Sequence, residues 1–119
     1  MSDQKILDGF GEQLITSVRD RTIEKFEKIE MGSLKSQKGL ELSKLLSQFS
    51  DEQKKAIKTL IIETTDNALF NFLDMIEQND EKIELTFFRK NINTLSDGLS
   101  GELFTSDGWI SRYSRVTPK

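Results

Sequence analysis

Three carboxylates, Asp97, Glu102 and Asp107, lie among glycines and hydroxyls in SDGLSGELFTSDG, residues 96–108. Oxygen ligands of this kind are what a hard divalent cation takes, and glycine lets the backbone turn tightly around it. A calcium loop of the EF-hand kind needs oxygen ligands at positions 1, 3 and 5, glycine at 6 and glutamate at 12. Setting Gly98 at position 6 puts Leu95 at 3 and Phe104 at 12, and setting Gly108 there puts Leu103 at 1. That loop fails, which leaves a looser magnesium or calcium site on the three acids, or a small carboxylate enzyme, as one reading. Helix punctuation is the other. Ser96 caps a short helix carrying Leu99, Leu103 and Phe104, and Thr105 or Ser106 caps a second carrying Trp109, Ile110 and Tyr113. Trp109, the chain's only tryptophan, then anchors the last helix in the core. Its functional alternative is an exposed partner-binding patch of Trp109, Arg112 and Tyr113, extended by Arg115 and Lys119.

Glu63, Asp66, Phe70, Asp74 and Glu77 form a second constellation, at spacings of 3, 4, 4 and 3. On a helix these spacings align all five along one face. An aromatic anchor among four acids suits a basic protein partner, whereas the ordinary account has Phe70 covered and the acids ringing the contact in water. Acid–base catalysis needs a carboxylate whose pKa is pushed toward neutrality, and a solvated helix face does not do this.

The chain has neither histidine nor cysteine. This removes Ser-His and Cys-His nucleophile pairs, thiolate metal sites, disulfides and the histidine pH switch. No phosphate-binding glycine loop and no nucleophile elbow occurs, so no cofactor is expected. A nucleic-acid reading has one foothold in Lys35, Lys38, Lys44, Lys54, Lys55 and Lys58, on two helices joined by a short turn like a helix-turn-helix. Net charge opposes it: residues 1–60 carry 11 basic and 10 acidic groups and residues 61–119 carry 6 and 10, for a total of −3.

The elements that must carry these residues are mostly helical. Ile6, Leu7, Phe10 and Leu14, then Ile15, Val18, Phe26 and Ile29, keep helical spacing from Asp3 to Met31, but the apolar centre of the second half is rotated by roughly 100° from the first. The segment is expected to break or curve, with Gly9 and Gly11 as cheap places to fray. A polar connector with a glycine stop at Gly32 leads to a short helix carrying Leu42, Leu45, Leu46 and Phe49. FSDEQ then opens a long helix over 51–78, with Ser50 and Gln53 as a capping box. Its wide apolar stripe takes in Ile57, Leu60, Ile61, Thr64, Ala68, Leu69, Phe72, Met75 and Ile76, which predicts a central helix with neighbours on two sides. KIELTFF alternates like a strand and predicts a small β-hairpin near 83–95.

The expected fold is therefore a single mainly α domain over 1–119, with a long central helix, a small hairpin and short C-terminal helices. The longest aliphatic run, Leu60-Ile61-Ile62, is far below the roughly 20 residues needed to cross a bilayer, and the N-terminus lacks the pattern of a secretory leader. The composition points to a cytoplasmic, non-catalytic binding protein, an accessory protein of bacterial type in an inhibitor or immunity role against a basic protein partner. Homo-oligomerisation is compatible with it.

Overall fold

Ser2 starts the first helix: its Oγ accepts the amide proton of Lys5 at 3.2 Å, satisfying a donor that a helix N-terminus leaves open. In the computed structural model, which describes residues 1–116, an unbroken helix then runs to Met31. It consists of α1 (Asp3–Leu14), a π-helical turn (Ile15–Asp20) and α2 (Arg21–Met31). Buried residues recur every fourth position along it: Leu7, Gly11, Ile15, Arg19 and Ile23. In a straight α-helix each such step advances by about 40°, so the stripe would wind about 160° around the rod. A π turn holds one extra residue, worth about 100°, and keeps most of that stripe on one side. Of the expected break or curve, the break does not occur, because this insertion absorbs the phase shift.

Gly32, at φ 70°, ends α2 in the left-handed conformation, with its amide bonded to Ile29 O and that of Ser33 to Lys28 O. Ser36 caps α3 (Gln37–Leu46). Ser50 and Gln53 form the reciprocal box that opens α4 (Asp51–Gln78), at 3.1 and 2.9 Å. At about 1.5 Å per residue α4 is about 42 Å long, close to the 48 Å longest dimension of the molecule.

The hairpin is smaller than its sequence pattern. β1 (Thr86–Phe87) and β2 (Lys90–Asn91) pair antiparallel, Thr86 opposite Asn91, through a turn that holds Phe88 and Arg89 at φ 52° and 62°. The return arm does not continue to Leu95. Asn91 Oδ1 accepts from Asn93 N, and Ile92–Leu95 becomes a helical turn, α5, that buries Ile92. A 3-10 turn (Leu99–Glu102) and α6 (Trp109–Tyr113) follow.

The architecture is mainly α, as the periodicity predicts. The main core gathers Leu7 and Ile15 from the first helix, Leu73 and Ile76 from α4, and Ile92, Leu99, Leu103 and Trp109 from the C-terminal part. A smaller cluster of Ile23, Ile62 and Val116 lies beyond it. Trp109 is fully buried, edge-to-face with Phe10 at 6.0 Å between centroids. Its indole lies directly on Gly11, where a Cβ would collide with the ring. Gly11 is thus a contact the tryptophan requires, and the fraying expected of it does not describe its role. Gly11→Ala gains helix propensity yet is expected to destabilise the chain by about 2 kcal/mol, through overpacking in a rigid core; a urea melt of the variant measures this.

Candidate functional site

The deepest polar feature was not anticipated from the sequence. Arg19 and Asp20, both 0% exposed, occupy the end of the π turn. The Arg19 guanidinium donates through Nε and Nη2 to the two carboxylate oxygens of Asp66 and through Nη1 to Ser114 Oγ at 2.9 Å. Ser114 Oγ donates to Asp20 Oδ1 at 2.7 Å, and the amide of Arg115 reaches Asp20 Oδ2 at 2.9 Å. Three segments distant in sequence meet here: the π turn, the middle of α4 and the residues after α6. Each is flanked by apolar residues of the two clusters, Ile15 and Ile23, Leu69 and Ile62, Ile110 and Val116. Among the described residues no buried side-chain polar atom lacks a partner, so the network is closed and structural. Arg19 carried no signal in the sequence beyond its place in the row Leu7, Gly11, Ile15, Arg19 and Ile23, spaced at four-residue intervals.

That network absorbs part of the predicted acidic face. Asp66 is tied to Arg19, and Glu77 Oε1 accepts both the amide and the hydroxyl of Ser100, at 2.8 and 3.0 Å. Phe70 is half-buried against the main core and stacks on Phe104 at 6.2 Å. Glu63 is exposed and Asp74 half-buried. Glu63 and Asp66 border a cavity of about 430 Å³ walled by Leu103, Phe104, Thr105 and Ile110. The five residues do share one side of α4, but the C-terminal segment lies over it, so it is not an open docking face.

The second predicted patch divides. Trp109 is in the core, and its Nε1 donates to Asp8 Oδ1 at 3.4 Å. Arg112 is exposed, donates to the same oxygen at 3.0 Å and lies 5.0 Å over the Tyr113 ring. The Arg112 hydrogen bond, acting against burial, holds the Asp8 carboxyl below its ordinary pKa, and the same bond raises that of Arg112. Burial raises the pKa of the Tyr113 hydroxyl.

Of the candidate cation ligands, Asp97 and Asp107 are exposed, and Glu102 accepts from Ser96 Oγ at 2.7 Å. Among the described residues no group of three or more carboxylates is placed to hold a metal ion. Ser96 Oγ also accepts from Gly98 N, a local turn bond, but the 3-10 turn starts after Gly98 and α6 after Gly108, each without a side-chain cap, so the capping roles expected of Ser96 and of Thr105 or Ser106 do not occur. Among the lysines, Lys58 pairs with Glu27 at 2.8 Å and Lys35 reaches Gly32 O.

What remains open is apolar. The core takes Ile62, Leu69, Leu73 and Ile76 from α4, leaving most of the predicted stripe on the far side. Leu60 is 65% exposed, Phe72 41% and Met75 45%, with Thr64 and Ala68 exposed between them. At the N-terminal end this stripe adjoins an apolar groove of about 290 Å³ between α2, α3 and α4, lined by residues including Leu45, Phe49, Ile57 and Ile61. The stripe therefore corrects the expectation of a helix covered on two sides. Its core-facing side is set by the C-terminal segment, which packs on the side bearing Phe70. Comparison of the chain with known protein families, curated proteins and solved structures found no match.

Removing the Arg19 side chain strands Asp20 and Asp66 without their cation. Arg19→Ala is expected to lower unfolding stability by about 3 kcal/mol, while Arg19→Met with Asp66→Leu recovers part of the loss, because Asp66 is no longer stranded and Asp20 keeps the Ser114 hydroxyl and the Arg115 amide. Both are read from urea melts. The Asp8–Arg112 pair makes a second prediction. Because the folded chain lowers the Asp8 pKa, the pair's stabilisation is full above the ordinary carboxylate value of about 3.9 and is lost as pH falls through the lowered one. Asp8→Asn should be less stable than the wild type at pH 7, and the difference should shrink below about pH 4 in melts across that range.

Proposed function

We propose that the protein is a non-catalytic binding protein that works in the cytoplasm through protein contact, and that its contact surface is the open apolar face of α4 with the adjoining groove. The observation that carries this is the row of large apolar side chains, Leu60, Phe72 and Met75, left in water along a helix whose opposite side already supplies the core. Such a row is costly to leave uncovered and is typical of interaction surfaces. The chemistry of the carboxylates supports the same reading. Asp20 and Asp66 are held by Arg19 and Ser114, and Glu77 by Ser100, so these acids serve the fold. An inhibitor or immunity role against a basic partner draws on the acid surplus of residues 61–119, with Glu63 and Asp74 at the border of the contact. Among the described residues no helix is long and apolar enough to cross a membrane.

The test is capture from a native lysate with tagged wild type and with Leu60→Glu/Phe72→Glu, whose substituted positions are exposed. The wild type should retain at least one protein, further copies of this chain included, that the variant loses. Identical retained sets, with both proteins folded by circular dichroism, would rule out this face.

A further inference from the structure

We infer that the open face of α4 is covered by the same face of a second copy of this chain, the two α4 helices packed antiparallel about a two-fold axis level with Asp66. This rests on the reading of that face as a protein contact surface, and it names the occupant.

The first argument is the spacing of the stripe. Ile57 and Met75 lie nine residues either side of Asp66, Leu60 and Phe72 six, and Thr64 and Ala68 two. A two-fold axis through that level sets Ile57 at the height of the mate's Met75, Leu60 at the height of its Phe72 and Thr64 at the height of its Ala68. An isologous interface requires a patch that is its own complement, and this row has that property. The small pair Thr64 and Ala68 sits at the crossing point, where it lets the backbones come close, with the large residues to either side.

The second argument is charge. Residues 51–58 hold Lys54, Lys55 and Lys58 against Asp51 and Glu52, whereas residues 74–81 hold Asp74, Glu77, Asp80 and Glu81 and no cation. Antiparallel packing sets the cationic end of each helix beside the acidic end of its mate and opposes the helix dipoles favourably, whereas parallel packing superposes four acids on four.

The third argument is the groove. At about 100° per residue, Ile61 and Phe72 lie on the same flank of the stripe, about 40° and 60° from Ile57. A two-fold axis perpendicular to the helices keeps equal flanks on the same side. The mate's Phe72 therefore arrives next to Ile61, at the mouth of the groove lined by Leu45, Phe49 and Ile57. Each copy thus supplies the aromatic that fills the other's groove, and both open features are covered by one contact.

Sedimentation velocity on the purified chain tests the occupant. At about 100 μM the wild type should sediment as a dimer, and Leu60→Glu/Phe72→Glu as a monomer with an unchanged helical spectrum. The chain contains no cysteine, so orientation can be read from single thiols. Thr64→Cys mixed with Ala68→Cys should oxidise mainly to the mixed disulfide dimer, as antiparallel packing requires, while each alone stays largely unlinked. A wild type that remains monomeric overturns the inference, as does a dimer that survives the double substitution or a mixture dominated by like-with-like disulfides. If the monomeric wild type still captures a lysate protein through Leu60 and Phe72, the contact face stands and only the second copy falls. If capture is also indifferent to those residues, both fall.

Discussion

Arg19 must keep its charge in a place without water, and the rest of the molecule is arranged to permit it. Burying a guanidinium costs several kcal/mol unless its fork is matched by carboxylate and hydroxyl acceptors. Here Asp66 takes two of its N–H groups and Ser114 a third, while Asp20 receives the Ser114 proton. Meeting these bonds fixes the phase of the first helix, the rotation of α4 and the path of the chain after α6. The π turn belongs to the same constraint, since the extra residue keeps Arg19 and Asp20 on the buried side between Ile15 and Ile23.

Once α4 is rotated so that Asp66 meets Arg19, its two sides have different fates. The side bearing Phe70 and Glu77 receives the 3-10 turn and the segment around Phe104, which close over it with Ser100 bonded to Glu77. The opposite side, with Leu60, Phe72 and Met75, has no element left to cover it within the described residues. The candidate function follows from this division. Two of the four carboxylates that could have formed a docking face, Asp66 and Glu77, are used in holding the fold, and the hydrophobic surface that could have been core is left for contact.

Elements were legible where local chemistry decides them. Ser50 and Gln53 mark the start of α4 because both bonds of the capping box are made within four residues, and Gly32 marks the end of α2 because glycine accepts the left-handed conformation. The hairpin was half legible: its alternation is real, but Asn91 can cap a helical turn as readily as it can pair, and burial of Ile92 decided for the turn. Trp109 as a core residue was one of two open readings. The partner of its indole, bare Gly11, lies 98 residues earlier in the chain, and no local pattern connects the two.

A mainly α chain, its long helix, the start of that helix at Ser50, the stop at Gly32 and a chemistry without histidine or cysteine all follow from residue order alone. Those properties depend on residue type and on bonds spanning a few positions. Long-range packing is what turns one side of α4 to the core, pairs Arg19 with Asp66 across 47 residues, and leaves Leu60, Phe72 and Met75 open. Periodicity shows that a helix has faces, but the choice of the buried one depends on what packs against it, and that packing is made by residues far apart in the chain.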